Sequence, residues 1–103
     1  MCGISGYISN KKLPLSAMIN TLHHRGVDAI GNIEKEINNR YVGLGHNRLS
    51  IIDLSENGNQ PFSSPDGKVH LIYNGETYNF QELKTTYLAN EKFISSSDTE
   101  VLL

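Results

Sequence analysis

The sequence predicts a mixed α+β fold, mainly antiparallel. Two observations carry this. Strand-like apolar runs and segments with helical apolar spacing alternate irregularly, and short turn signals join some of the strands into hairpins. The 103 residues suffice for one small domain with a modest core. With 38% hydrophobic and 19% charged residues, the chain reads as globular rather than disordered.

Taken in order, Cys2 to Ser9 is apolar and punctuated by glycine, which predicts a buried N-terminal strand. Asn10-Lys11-Lys12 is a turn. Pro14 suits a first helical position, and Leu15, Met18, Ile19 and Leu22 follow at helical spacing. This helix is expected to run to His23-His24-Arg25-Gly26 and stop at Gly26. Val27 to Asn32 reads as loop, and Ile33 to Ile37 as an edge or half-buried strand. Asn38-Asn39 can supply the positive φ angles of a tight turn, and Tyr41 to His46 is the return strand. Leu49 to Ile52 is a short apolar run. Asp53 to Asp66, rich in Ser, Asn, Gly and Pro, is expected to be a long surface loop. Lys68 to Tyr73 is a strand by its β-branched and aromatic content. Two capping boxes follow, Asn79-Phe80-Gln81-Glu82 and Ser97-Asp98-Thr99-Glu100, each predicting a helix. Phe93-Ile94 between them is a short strand. The second helix ends after Val101-Leu102-Leu103, so the sequence is expected to be the first part of a longer domain.

Several function classes are excluded at this level. The formal net charge is −2, with no run of like charge, which argues against binding nucleic acid or an anionic membrane. No stretch approaches the ~20 apolar residues of a membrane span. The apolar start has no basic flank and is too short for a secretory signal, so a cytoplasmic location is expected. One cysteine makes no internal disulfide and no metal-ligand cluster. His23, His24, His46 and His70 are read as structural, and no metal site is predicted.

The chemistry gathers in a few short stretches. Cys2 follows Met1, and removal of Met1 would leave a thiol and a free α-amine on one residue. That is a nucleophile with its own base, because an α-amine titrates close to neutral pH. Arg48, at the end of a strand, can pair a carboxylate bidentately. Asn74-Gly75 reads either as a hairpin turn or as an oxyanion hole, with an amide donor beside an unhindered N–H. Glu76 and Asp98 are carboxylates able to hold an ammonium, and Asp98 also suits a helix N-cap.

Together, Met1-Cys2-Gly3-Ile4, His24-Arg25-Gly26, Gly45-His46-Asn47-Arg48-Leu49-Ser50-Ile51-Ile52-Asp53-Leu54, Asn74-Gly75-Glu76-Thr77-Tyr78-Asn79 and the closing Ser97 to Leu103 stand in one order along the whole chain. They resemble the glutaminase domain of asparagine synthetase, a class II glutamine amidotransferase of the N-terminal-nucleophile type. The resemblance implies the first half of an αββα four-layer sandwich of antiparallel sheets. It implies that Cys2 attacks glutamine, that Asn74 and Gly75 hold the oxyanion, that Arg48 binds the α-carboxylate, and that Glu76 and Asp98 bind the α-amine. Arg25-Gly26 would be scaffold near the site. No cofactor is implied for this domain; ATP and Mg belong to a synthetase domain lying outside these residues, which would be its partner. The acceptor implied is aspartate or a related molecule, with sugar- and peptide-aminating relatives as alternatives. One departure is Val27-Asp28-Ala29, where the family carries Pro and two acidic residues, which loosens that loop. A second reading is a non-catalytic fragment or interaction module. As a truncated monomer the chain is expected to hold Asp98 loosely, to have little glutaminase activity, and to self-associate through an apolar edge.

Overall fold

The computed structural model describes residues Met1 to Leu103. Its centre is a three-stranded antiparallel sheet. Strands β1 (Gly3–Ser9) and β2 (Ala29–Ile37) flank β3 (Arg40–Arg48), in the order β1-β3-β2. The β2–β3 hairpin closes through Asn38 and Asn39 at φ 51° and 61°, the left-handed conformation that Asn tolerates better than most residues. β2 begins at Ala29, so the loop expected up to Asn32 is largely strand.

Register decides which side chains meet. Gly3 pairs with Asn47, Ile4 with His46 and Tyr7 with Gly43, while Gly31 of β2 lies across from His46 on the other side. Successive side chains of a strand face opposite ways. β3 therefore sends Gly45 and Asn47 to one face, His46 and Arg48 to the other. Helix α1 (Leu15–Thr21) covers the first face. Leu15 and Ile19 are 2% and 3% exposed, Ile19 lies over Gly45, and Leu22 over Gly3. The helix stops at Thr21, sooner than its apolar spacing predicted. A 3-10 turn, His23–Arg25, takes over, and Gly26 is extended (φ −154°) rather than left-handed. Gly26 is required for room: a Cβ there would lie 2.3 Å from the Asn47 carbonyl oxygen. β1 is buried on the helix side only; Ile4 and Ile8 are exposed on the other.

Opposite α1, the segment from Asp53 to Asp66 is not the surface loop expected from its composition. Asp53, Gln60 and Phe62 are all buried. The segment makes a 3-10 turn, Glu56–Gly58, and then a short strand β4 (Phe62–Ser63), which pairs with β5 (His70–Leu71). β5 is all that forms of the strand expected over Lys68 to Tyr73. This two-stranded pair is the whole of the second sheet. The Gln60 carbonyl crosses Gly31 so closely that a Cβ at Gly31 would lie 1.8 Å from its oxygen. Gly31→Ala is therefore expected to destabilise the fold by about 1–3 kcal/mol, the usual cost of overpacking, read from the denaturation midpoint. A midpoint equal to that of the parent would mean that the segment does not press on β2.

Helix α2 (Phe80–Tyr87) and a closing 3-10 turn, Thr99–Leu102, pack together. Neither predicted capping box forms. Asn79 precedes α2 without a side-chain cap bond. At the second, the Thr99 N–H goes to Ser97 Oγ (3.1 Å) and not to Asp98, while the Glu100 carboxylate accepts the N–H groups of Ile94 (2.9 Å) and Ser95 (2.8 Å). Phe93-Ile94 forms no strand. Phe93 lies under the Lys84 ammonium, 4.1 Å from its ring centre, and Ile94 is exposed.

Candidate active site

The sheet face opposite α1 ends in an open cleft. It lies where the ends of β1 and β3 meet the Asp53–Gln60 segment, the chain after β5, and the Ser97–Thr99 segment. Of the six site residues expected from sequence, Cys2, Arg48, Gly75, Glu76 and Asp98 line it. Asn74 does not; it is exposed beside Gly75. Neither residue forms the alternative hairpin turn, for the chain from Ile72 to Asn74 is irregular.

Cys2 is half-buried and held from two directions. Its Sγ accepts the Leu49 N–H at 3.3 Å and donates to the Leu49 carbonyl at 3.6 Å. Its own carbonyl accepts Arg25 Nε–H at 3.0 Å. Arg25 thus fixes the main chain that carries the thiol, which gives the His24-Arg25-Gly26 stretch a concrete scaffold role. Met1 is exposed.

Arg48 is not the free fork that the sequence suggested. Its guanidinium is buried and already engaged. Nη1 donates to the Ser55 carbonyl (2.6 Å) and to Asn59 Oδ1 (2.7 Å), and Nη2 donates to the Asp53 carbonyl. The reason is local. Gly58 turns the chain so that Asp53, Ser55 and Asn59 present acceptors to the end of β3, with only glycine small enough to pass the guanidinium. Asp98 is likewise tied, contrary to the mobility expected of it. It is buried, and its Oδ2 accepts the Thr77 N–H at 2.7 Å. That bond links it to the chain carrying Gly75 and Glu76.

Sequence reasoning missed two buried cross-links. Gln60 Oε1 accepts the Tyr73 N–H (2.6 Å), and its Nε2 donates to Thr99 Oγ1 (3.4 Å). The Asp53 carboxylate accepts the Ser55 N–H (2.8 Å) and Oγ–H (2.6 Å) on one oxygen, and the Ser96 N–H (2.8 Å) on the other. The signal for Asp53 was its place in the motif run after Arg48; composition gave none for Gln60. His46, read as structural, is fully buried on the cleft wall, with neither ring nitrogen hydrogen-bonded to another residue. Burial, aided by the Arg48 charge, pushes its pKa below the ordinary imidazole value, against the opposing pull of the Tyr73 main chain.

The Asp53 carboxyl titrates at about 2, lowered first by the Ser55 hydroxyl and then by the Ser96 and Ser55 N–H groups. A carboxylate with a depressed folded pKa stabilises fully above its unfolded value, about 4, and loses that contribution as pH falls toward the folded value. Protection of the Ser96 amide against hydrogen exchange is therefore expected to fall between about pH 4 and pH 2. Protection unchanged across that window would contradict the bond.

The whole chain, residues 1–103, matches the family model described as glutamine amidotransferase domain. Among curated proteins, the amidase chry2 of Gibberella zeae is 38% identical over the full chain. Asparagine synthetases [glutamine-hydrolyzing] 1 and 2 of Bacillus subtilis are 41% and 38% identical, again over the full chain. The chain spans only 17%, 17% and 14% of the length of these three relatives. With a match over every residue, the chain belongs to the glutamine amidotransferase domain family and is homologous to the asparagine synthetases.

Proposed function

We propose that this domain hydrolyses glutamine to glutamate and ammonia through a Cys2 thioester, and that the ammonia serves the ATP-dependent amidation of aspartate or a related acceptor. The observation that carries the reading is the convergence of Cys2, Arg48, Gly75, Glu76 and Asp98 on one cleft. After loss of Met1, the α-amine of Cys2 takes the thiol proton, and the thiolate attacks the glutamine carboxamide carbon. The Gly75 N–H and the Asn74 amide, reaching in from beside the cleft, hold the oxyanion. The amine returns the proton to the departing ammonia, and water then cleaves the thioester to glutamate.

Arg48 takes the α-carboxylate while still holding its loop. A guanidinium has five N–H donors, and its three bonds to the loop leave the Nε–H and one Nη2–H for the substrate. Glu76 and Asp98 take the α-amine. The acceptor is chosen by a synthetase domain outside these residues, which would also hold ATP and Mg. No three His, Cys, Asp or Glu side chains converge within these residues as a metal-ligand set. The fold proposed is the N-terminal-nucleophile αββα sandwich, with α1 and the three-stranded sheet as two of its layers.

Intact-mass measurement tests the mechanism. A chloroketone analogue of glutamine is expected to add once, at Cys2, and only to molecules that have lost Met1. Glutamine hydrolysis by protein that wholly retains Met1 would sink the α-amine mechanism.

A further inference from the structure

We infer that Asp53 is a positioning residue that sets the spacing between the carboxylate-binding and amine-binding ends of the cleft; this rests on the glutaminase reading above. The motif run after Arg48 ends in Asp53-Leu54, and no role in the chemistry had fallen to its carboxylate. The geometry supplies one. The Asp53 main-chain carbonyl accepts Arg48 Nη2, so the residue is fixed to the group proposed to bind the substrate carboxylate. One side-chain oxygen closes the local turn onto Ser55 N and Oγ. The other reaches 43 residues along the chain to the Ser96 N–H at 2.8 Å. Ser96 lies two residues before Asp98, the buried carboxylate proposed for the substrate amine.

Asp53 therefore joins the Arg48 loop directly to the Ser96–Asp98 segment, beside a longer second link from Gln60 Nε2 to Thr99 Oγ1 (3.4 Å). An α-amino acid presents its two charges at a fixed separation. A cleft selecting it needs its own two charges at a matching separation before the ligand arrives, because ordering them at each encounter costs affinity. Asp53 lines the cleft yet has both oxygens committed to the protein, which suits a spacer rather than a ligand.

Asp53→Asn isolates the long bond. Its remaining oxygen keeps the Ser55 turn, while its amide group meets the Ser96 N–H donor to donor. In the full chain, three quantities are read: exchange protection of the Ser96 amide, the half-saturating concentration for Cys2 labelling by the glutamine chloroketone, and labelling by a chloroketone of equal length lacking the α-amino-acid group. The variant is expected to lose Ser96 protection and to need at least about tenfold more of the glutamine reagent, with labelling by the truncated reagent unchanged. Ser55→Ala, which spares the long bond, is expected to resemble the parent in all three. Unchanged half-saturation despite lost protection overturns the inference, as does retained protection. An equal loss for both reagents also overturns it, since that is general disruption. If Asp53→Asn does not fold, Ser96→Pro removes the same bond from the donor side; with no amide hydrogen left at residue 96, it is read by the two labelling half-saturations alone, with the same expected and overturning outcomes for those. A parent protein that does not prefer the glutamine reagent overturns the glutaminase reading itself, and with it a positioning role toward glutamine. The Ser96 protection still reports separately whether the tether exists.

Discussion

Replacing Cys2 with alanine is expected to cut ammonia release from glutamine by at least about 10⁴-fold, the scale seen when a covalent nucleophile is removed. The only other sulfur atoms in the chain belong to its two methionines, and no thiol remains in the cleft to carry the acyl group. The fold should tolerate the change. The thiol makes only its two Leu49 contacts, and Arg25 holds the Cys2 carbonyl, which alanine keeps. Ammonia release with a matched denaturation curve is the measurement. A folded variant retaining more than about 1% of the parent rate would place the chemistry on another group.

Arg48→Ala is expected to act twice. It strands the Asp53 and Ser55 carbonyls and Asn59 Oδ1, which now share one buried guanidinium. Losing charge-assisted bonds to buried acceptors costs about 2–5 kcal/mol of stability. It also removes the proposed carboxylate partner, so the surviving folded protein should cease to prefer glutamine over simple primary amides. Arg48→Lys separates the two effects. An ammonium keeps the charge but cannot hold the loop and offer planar donors to the substrate together, so it should restore more stability than selectivity. Full selectivity in a destabilised Arg48→Ala variant would make Arg48 a loop clamp and nothing more.

The parts of the fold that were legible in the sequence are those governed by local rules. Strand β1, the Asn38-Asn39 turn and the α1 stripe of Leu15 and Ile19 follow from periodicity and backbone preference, and each formed. The misreadings have a common physical cause. Asp53 to Asp66 is polar, and polar composition predicts exposure unless long-range partners exist. Here they do: Ser96 for Asp53, Tyr73 and Thr99 for Gln60. The capping spacing around Asp98 predicts a helix cap as well as a ligand; Asp98 does stand at the N-cap position of the closing 3-10 turn, but without a side-chain cap bond. In three dimensions a distant N–H, that of Thr77, was the better partner for its carboxylate. Arg48 fell between the two cases. Its position in the cleft was foreseen, but not the three oxygens that already occupy it.

The pairing of Tyr7 with Gly43 reaches further than its place in the sheet suggests. A β1 sequence of Gly, Ile, Ser, Gly and Tyr distinguishes its two faces weakly, and such strands are prone to slip. The Tyr7 ring fills the space where residue 43 would otherwise carry a side chain; a Cβ there would lie 2.4 Å from it. The ring works as a key in a single notch, since a shift of β1 by one residue would drive it against Val42 or Leu44. The same shift would turn Cys2 from the cleft to the α1 side. The aim of the reactive end of the chain is thus decided by an aromatic ring five positions away, about 17 Å along an extended strand. A lineage that filled that notch could keep every cleft residue and still misdirect the thiol.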